Sequence, residues 1–493
     1  MLRGIDIAVL ILYLALVVGL GCSLVRRSRT SAEFTRAGGR LPGWAVGLSI
    51  FGTYVSSISF LANPGKSYAA DWNPWVFGLS LPLAAWIACR WFVPFYRRHG
   101  HISAYAHLEE RFGPWARIYA GLCYMLTQLA RTATILYLVA LAMQPLTGWD
   151  VRAIIIVTGA LVTIYTLLGG IEAVIWTDVV QSVVLAAGAI ACAALMLSGM
   201  PEGPGQVFTI AAAQGKFSLG EFGPSLAAST FWVMLAYGFV INLQNFGIDQ
   251  SYVQRYHTAR DEKAAKRSVW LAALLYLPIS ALLFFIGTGL YAFYQARPDL
   301  LPAEGLLPDK VFPFFIAHEL PVGATGLLVA AIFAAAMSSV DTSLNSASTL
   351  ILEDGVKRYL DPAIPERRAM FILYGATLAL GAGGTAFALA MIDDRSALDR
   401  WWNLSGIFAG GVVGLFLLGL IARAARPAAA LIAVIAGLAV ILWMTFSPAW
   451  PDHLAMFRSP FHNLLIVVFG TVTILGAGLA ATAIANRTRG NAM

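Results

Sequence analysis

Long apolar segments separated by short polar ones dominate this sequence. Windows of about 19 residues identify thirteen segments of the length that a membrane-spanning helix requires, about 20 mostly apolar residues. These segments are 5–24, 42–63, 73–96, 115–146, 151–169, 173–199, 225–253, 267–295, 323–352, 367–391, 399–422, 426–447 and 460–485. We therefore predict an all-α, polytopic membrane protein with about thirteen transmembrane helices.

Polar residues interrupt the second and the seventh segment. They are Gly52, Ser56, Ser57 and Ser59 in the second segment, and Asn242, Gln244 and Asn245 in the seventh. The two interrupted segments lie five apart, and broken spans at matching places of two halves are typical of inverted-repeat transporters. This pattern predicts an extra helix at 5–24, repeats at 42–199 and 225–422, and further helices at 426–485.

The composition and the distribution of charge support a membrane protein. Only 12% of the 493 residues are charged, about half the fraction of a soluble protein. The net charge of +7 is not gathered in one segment, so nucleic acid is not an expected partner. With the N-terminus outside, 22 basic residues fall in inside loops, including the loop 255–267, and 9 fall outside. This bias favours an outside N-terminus and a cytoplasmic C-terminus.

Arg131 is an ionisable residue in the middle of the segment 115–146, with Gln128 one helical turn before it. Charged residues inside a membrane are rare and mark functional sites by default. A guanidinium offers a rigid fork of donors that suits a carboxylate. Alternatively, Arg131 binds backbone carbonyls of a broken helix or pairs with a buried acid.

Two further places offer oxygen atoms to a cation. Asp178 follows Gly169-Gly170 near the start of a segment, where it is either a cation ligand or a partner for the positive end of its own helix. Hydroxyl and amide residues share one face of the ninth segment, and small hard cations prefer such oxygen ligands. The residues of this face are Ser338, Thr342, Asn345 and Thr349, flanked by Ser339 and Asp341. A seam of small residues for close helix packing is the alternative, and Asp341 favours ion binding.

Three stretches of this sequence resemble the signatures of the sodium:solute symporter family. They are SIFGTYVSSISFLANPGKSYAADW (49–72), TLLGGIEAVIWTDVVQ (166–181) and MSSVDTSLNSAST (337–349). The resemblance extends over about residues 1–485. It implies a LeuT-type fold, in which a 5+5 inverted repeat forms a ten-helix core with extra helices outside, and it implies Na+ as the coupling ion.

The same resemblance implies where sodium binds. The main sodium site of the family corresponds here to Gly52 and Val55 at the break of the first core helix, and to Ala335, Ser338 and Ser339 on the eighth. A second site found in some members corresponds to Asp178, completed by Ser338, Asp341 and Thr342. This chain departs from the members compared, because they have two hydroxyl residues where it has Asp341 and Thr342.

The resemblance is strongest to bacterial sialic acid symporters, and it implies a substrate site. Arg131 corresponds to the arginine that holds the sugar-acid carboxylate, and the other implied residues are Tyr54, Ser56, Ser59, Asn242 and Asn245. Sodium–galactose members carry an acid where this chain has Gly78 or another neutral residue. We therefore expect sodium-coupled uptake of a carboxylated sugar such as sialic acid. A neutral sugar, an amino acid such as proline, or another organic anion remains the alternative.

Two other classes of protein fit the sequence poorly. A membrane enzyme would need clustered histidines or a nucleophile–base pair within the spans, and a sensor would need room for a further domain after the last span. The expected partners are therefore the solute, sodium and the lipid bilayer. From the resemblance we expect a multi-pass protein of a bacterial inner membrane that functions as a monomer.

Overall fold

The computed structural model describes residues 2–302, 306–392 and 410–490. Ten of the described helices are long and apolar enough to cross a membrane, or eleven if one bent pair is counted as a single span. The helices are α1 (Gly4–Ser23), α2 (Ser31–Arg36), α3 (Gly43–Tyr54), α4 (Ser57–Ala69), α5 (Asn73–His99), α6 (Ala106–Phe112), α7 (Pro114–Thr147), α8 (Val151–Ser198), α9 (Gln206–Ala213), α10 (Phe231–Ile248), α11 (Gln250–Thr258), α12 (Glu262–Ala296), α13 (Pro308–His318), α14 (Ala324–Leu360), α15 (Glu366–Ala390), α16 (Val412–Ile421), α17 (Pro427–Phe446) and α18 (Leu465–Gly490). The all-helical, polytopic architecture is as predicted.

Both segments with polar interruptions are broken helices. The helix of the second segment ends at Tyr54, Val55 leaves helical geometry (φ −91°, ψ 77°), and α4 resumes at an angle of 50°. The helix of the seventh segment ends at Ile248, and the extended Asp249 (φ −72°, ψ 122°) leads into α11. In both, backbone groups are freed from helical hydrogen bonds inside the bundle, where transporters place their binding sites.

The fifth and sixth predicted segments meet at Gly170. A straight helix of 48 residues such as Val151–Ser198 would be about 72 Å long, more than twice the thickness of the hydrocarbon core. Gly170 breaks it with φ 59° and ψ −165°, a conformation that residues with a side chain rarely adopt. A Cβ atom at Gly170 would also lie 3.0 Å from the backbone of Phe34, so the turn and its packing both require glycine.

The eleventh predicted segment, 399–422, lies largely outside the described residues. Its described part contains α16, which is too short to cross a membrane alone. The division into repeats at 42–199 and 225–422 therefore stays a prediction.

Helix α14 is the centre of the bundle, with nearly every residue between Thr325 and Leu350 buried. It packs against α8 so closely that a Cβ atom at Gly188 would lie 2.7 Å from the Ala331 side chain. The small residues of the ninth segment thus do serve close helix packing. Its hydroxyl-rich face nevertheless contacts both broken helices, because the Thr342 hydroxyl lies 3.2 Å from that of Thr53 and 2.6 Å from Arg255 Nη2.

The extra helix α1 is attached to the core by a carboxylate. Asp6 is buried, and its Oδ1 accepts hydrogen bonds from the backbone N–H of Gly323 at 2.7 Å and of Gly326 at 2.9 Å. These amides belong to the start of α14, where a helix has no internal acceptors for them. Asp6 therefore acts as an N-cap supplied by a different helix.

A second buried acid lies at the opposite end of the bundle. Glu172, just after the turn at Gly170, has 1% of its side chain exposed and pairs with Arg27 at 3.1 Å and with Arg40. The two arginines come from the segment between α1 and α3. Their ion pairs hold that segment against the start of the second half of α8.

His107 on α6 belongs to the predicted inside loop 97–117. Its ring packs edge-on against Phe95, with centroids 4.8 Å apart. Burial lowers the pKa of His107 to about 4, reinforced by the positive charge of Arg111 and opposed by Glu110, whose carboxylate is 3.9 Å away. The folded protein therefore holds this imidazole neutral at cellular pH.

We expect the stability of the protein to fall as the pH is lowered from 6.5 to 4. The unfolded chain binds a proton at the ordinary histidine pKa of about 6.5, whereas folded His107 does not until about pH 4. The loss is up to about 1.4 kcal/mol per pH unit. Melting temperatures of His107→Gln should depend less on pH in this window, whereas the exposed His453→Gln should behave like the wild type. Equal pH slopes for His107→Gln and the wild type would contradict this assignment.

Candidate functional site

A cavity of about 450 Å³ lies between the two helix breaks. Thr53 and Ser56 line it from the first break, and Asp249 lines it from the second. Its rim includes Ser229 before α10 and His462 before α18, which lie at ends of helices predicted to face the outside. The cavity thus extends from the broken helices toward the predicted outer surface.

Five of the six predicted substrate residues line this cavity: Tyr54, Ser56, Ser59, Arg131 and Asn245. Asn242 is not among the lining residues. Its amide nitrogen donates to the Ser80 hydroxyl at 2.9 Å and to the Phe77 carbonyl at 3.2 Å, while its oxygen lies 3.4 Å from the Tyr54 hydroxyl. In this conformation Asn242 supports Tyr54 from behind and ties α10 to α5.

The position of Arg131 is compatible both with binding a carboxylate and with binding a backbone carbonyl of a broken helix. Its Nη2 donates to the carbonyl of Thr53 at 2.8 Å, one of the backbone groups near the end of α3. The same side chain lines the cavity. The contact with the broken helix therefore fixes the guanidinium at the bottom of the cavity, where a solute can reach it.

The aromatic rings of Tyr54, Tyr252 and Tyr276 line the cavity, and that of Phe246 packs against Tyr54. The ring of Tyr54 lies 5.2 Å from that of Tyr252, 5.5 Å from that of Tyr276 and 5.7 Å from that of Phe246. These side chains come from α3, α10, α11 and α12. Such a wall fits an apolar face of a solute, while the polar lining groups orient it.

Asp249 was not among the residues predicted from the sequence, although it lines the cavity and is buried. Its Oδ1 caps α11 by accepting from the backbone N–H and the hydroxyl of Ser251, and its charge interacts with that of Arg131. The polar run Asn242–Gly247 signalled a break, but it did not show that the break comes after it, at Asp249.

The oxygen atoms of the predicted main sodium site are all buried where α3 meets α14. A Cβ atom at Gly52 would lie 2.9 Å from Ser338 Oγ, so glycine permits the close approach of the two helices. The Ser339 hydroxyl lies 3.2 Å from the carbonyl of Ala335, and Val55 leaves helical geometry beside them. Hydroxyls and freed carbonyls of this kind are the ligands that a small hard cation prefers.

Asp178, of the predicted second sodium site, forms a buried ion pair with Arg255. The Arg255 Nη2 lies 3.0 Å from Asp178 Oδ2, and the two side chains are 1% and 0% exposed. Asp178 also accepts hydrogen bonds from Ser338 and Ser49. The predicted residue Thr342 accepts from Arg255 Nη2 at 2.6 Å. One arginine therefore links α3, α8, α11 and α14.

Asp341 is the other carboxylate of this cluster. Its Oδ2 accepts from the Tyr165 hydroxyl at 2.8 Å and its Oδ1 from the backbone N–H of Thr342 at 2.6 Å. The cluster thus holds two buried acids and one buried arginine, Arg255. With both acids ionised, these three side chains carry one net negative charge.

The assignment of Arg255 to the inside loop 255–267 was wrong. It lies on α11, every residue of which is buried. Asp178 and Arg255 are 77 residues apart in the sequence. A pair so widely separated produces no periodic pattern, so it could not be predicted from the sequence. The remaining basic residues of the inside loops still outnumber those outside.

The comparisons with known proteins agree with this geometry. The family model of the sodium:solute symporters matches residues 34–437. The chain belongs to the sodium:solute symporter family. It is a Na+-coupled solute symporter and not an enzyme, and sodium is a transported co-substrate and not a cofactor.

Several relatives are similar over most of their length. The sodium/sialic acid symporter SiaT of Proteus mirabilis is 34% identical over 473 residues, covering 95% of this chain and 94% of the relative. NanT of Aliivibrio fischeri, also a sodium/sialic acid symporter, is 34% identical and covers 94% and 91%. The human sodium/iodide cotransporter is 31% identical, covering 87% of this chain and 67% of that protein. Relatives named for different solutes thus have similar identities, so identity alone does not fix the solute.

Solved structures show the same fold. A Na+-coupled sialic acid symporter, described as substrate-bound and outward-open, superposes with a TM-score of 0.90 at 32% identity and 98% coverage of both chains. The nucleobase-cation symporter Mhp1 superposes with a TM-score of 0.57 at 16% identity, over 92% of this chain and 94% of that one. The LeuT-type fold is therefore as predicted.

Replacing Arg255 should destabilise the protein strongly. Arg255→Gln leaves the Asp178 carboxylate buried without a cation, which costs about 3–5 kcal/mol, and we expect a large fall in melting temperature in detergent. The double variant Asp178→Asn/Arg255→Gln removes both charges and should recover much of the loss. The exposed Arg152→Gln serves as the control and should melt like the wild type. A double variant less stable than Arg255→Gln would show that the pair is not what holds these helices together.

Proposed function

We propose that this protein couples sodium entry to the uptake of a carboxylated sugar such as sialic acid. The observation that carries the proposal is the position of Arg131. Its side chain is held by a hydrogen bond to the broken helix α3 and lines the cavity. Two relatives that are sodium/sialic acid symporters and match nearly the whole chain support it. Arg131 would bind the carboxylate through charge-assisted hydrogen bonds.

The rest of the cavity suits a sugar acid. Its volume of about 450 Å³ falls within the range typical of small-molecule sites, about 300–1,000 Å³. The aromatic wall around Tyr54 would pack against the sugar ring, and the hydroxyls of Ser56 and Ser59 with the amide of Asn245 would bind its hydroxyl groups. Helix α5 has Gly78 or another neutral residue where sodium–galactose members carry an acidic one, and this difference argues against a neutral hexose.

Sodium would bind where α3 meets α14, through the carbonyls of Gly52, Val55 and Ala335 and the hydroxyls of Ser338 and Ser339. The same break supplies Ser56 to the cavity. An ion that orders the break would therefore also order the solute site, and by linkage the solute would increase the affinity for sodium by the same factor.

A second sodium ion would bind near Asp178, Ser338, Asp341 and Thr342. Arg255 neutralises one of the two buried acids, so with Asp341 also ionised the cluster keeps one net negative charge. An unbalanced charge inside a membrane is costly, and a bound sodium ion would remove that cost. The additional carboxylate of Asp341 thus supports two sodium ions in each transport cycle.

The orientation that we propose has the N-terminus outside and the C-terminus in the cytoplasm of a bacterial inner membrane. The bias of basic residues supports it, and loops assigned to one side meet in the fold. Asp6 binds Gly323 and Gly326 at the predicted outer side, while Arg27 binds Glu172 at the predicted inner side. The cavity and both sodium sites arise within one chain, which supports function as a monomer.

A zwitterionic solute such as an amino acid is the second candidate. Asp249 places a carboxylate in the cavity that Arg131 lines, and this pair of charges fits an ammonium group and a carboxylate on one molecule. Sialic acid has no ammonium group, so Asp249 would instead accept hydrogen bonds from its hydroxyls. Competition for uptake by sialic acid, neutral hexoses and proline would distinguish the candidates.

Radiolabelled sialic acid should accumulate in proteoliposomes only under an inward sodium gradient. Arg131→Gln should lower the apparent affinity about tenfold to a hundredfold, because a hydrogen bond to a charged group contributes about 1.5–3 kcal/mol. Gln144→Ala, which changes an exposed residue near the C-terminal end of the same helix, serves as the control. Unchanged affinity in Arg131→Gln would refute the carboxylate role. Failure of sialic acid with sodium-dependent uptake of proline would favour the second candidate.

Uptake of a monoanion with two sodium ions should be electrogenic. It moves one net positive charge inward, which a potential of 100 mV (negative inside) drives by about 2.3 kcal/mol. A potassium–valinomycin potential should therefore accelerate uptake by the wild type. In Asp341→Asn, which lacks the additional carboxylate, uptake should lose this dependence on voltage. Voltage-independent uptake by the wild type would overturn the two-sodium proposal.

A further inference from the structure

A second hollow, of about 460 Å³, lies away from the substrate cavity. It forms where α3 and α12 begin, at the predicted cytoplasmic boundary of the membrane. Its lining residues are Pro42, Gly43, Trp44, Arg260, Ala264, Arg267 and Leu271. None of these residues takes part in the solute or sodium sites described above.

The charge at this hollow is positive. Arg260 and Arg267 are both exposed. The nearest acid of Arg260 is Asp261, at 3.5 Å and itself 54% exposed, and an exposed pair of this kind contributes little in water. Glu262 is paired with Lys266 at 2.6 Å. Two guanidiniums are therefore available to an anion, and guanidinium suits phosphate oxygens particularly well.

The hollow also has apolar lining residues, and one of them lies further along α12 than the arginines. Leu271 follows Arg267 by one helical turn, about 6 Å further along α12. Trp44 is 52% exposed at the start of α3, and its ring packs edge-on against Trp176 at 5.6 Å. Exposed tryptophans at the ends of spans are typical of the depth of lipid headgroups.

We propose that this hollow binds an anionic phospholipid of the cytoplasmic leaflet. The phosphate of the headgroup would lie between Arg260 and Arg267, beside Trp44, and an acyl chain would follow Leu271. Charge complementarity favours an anionic ligand, and the apolar lining residues favour a lipid over a soluble phosphate ester. Basic pockets at the cytoplasmic ends of membrane helices bind such headgroups.

A lipid bound in this hollow would stabilise the contact between α3 and α12. A Cβ atom at Gly43 would lie 2.5 Å from the carbonyl oxygen of Ala264, so α3 and α12 cross in direct contact there. A headgroup bound beside the crossing touches both helices. It therefore stabilises the contact between α12 and the cytoplasmic end of the helix whose other end forms the proposed sodium site.

The test measures the melting temperature of the full-length protein in a neutral detergent during titration with lipid. Phosphatidylglycerol should raise it, whereas phosphatidylcholine with the same acyl chains should not. Arg260→Gln/Arg267→Gln should need roughly 25-fold more phosphatidylglycerol for the same rise, since each of the two basic residues near an anionic headgroup contributes about a fivefold gain in affinity. The control Arg367→Gln/Arg368→Gln, which removes two exposed charges at the start of α15, should respond like the wild type.

Four results would overturn the proposal. An equal loss of response in the control would show a diffuse effect of surface charge, and an equal effect of phosphatidylcholine would show that the headgroup is not recognised. An equal rise with glycerol 3-phosphate would assign the hollow to soluble phosphate esters. Native mass spectrometry of retained phosphatidylglycerol gives a readout that does not depend on intrinsic stability. Wild-type retention by Arg260→Gln/Arg267→Gln would refute the site.

Discussion

The constraint on which this structure depends is that a backbone freed from a helix inside a membrane must find partners within the protein. Helix α3 stops at Tyr54 and helix α10 at Ile248, and neither break can expose its polar groups to lipid. Arg131 satisfies the carbonyl of Thr53, and Asp249 satisfies the start of α11. The residues that satisfy the breaks are the same ones that line the cavity, so stability and solute binding share their groups.

The buried charged cluster around Arg255 is subject to the same requirement for partners within the protein. Arg255 is surrounded by acceptors from four helices, among them Asp178, Ser49 and Thr342. An arginine this deeply buried is tolerated only when its donors are bonded. Because α11 carries both Arg255 and the capped end at Asp249, it forms a direct mechanical link between the solute cavity and the proposed ion sites.

The sequence predicts the helices and the two breaks because both produce local patterns. Apolar length indicates a span, and serines or asparagines in the middle of one indicate a break. The sequence also identifies Arg131 and the hydroxyl-bearing face of α14 as candidate binding groups, since polar groups inside spans are rare. It does not reveal the pair of Arg255 with Asp178, nor the burial of Asn242 behind Tyr54, because these depend on how distant helices rotate and pack. The turn at Gly170 is suggested by Gly169-Gly170, yet only the packing of Phe34 shows why glycine is required.

The cap that Asp6 provides makes the first helix part of the structure of α14. Helix α14 runs through the middle of the bundle and carries hydroxyls of both proposed ion sites, yet its first amides depend on a carboxylate of the peripheral helix α1. A purification tag or a truncation that displaces Asp6 would leave those amides without acceptors. For protein engineering, Asp6 and the helix that carries it are therefore sensitive to change, because altering them would disturb the helix at the centre of the transporter.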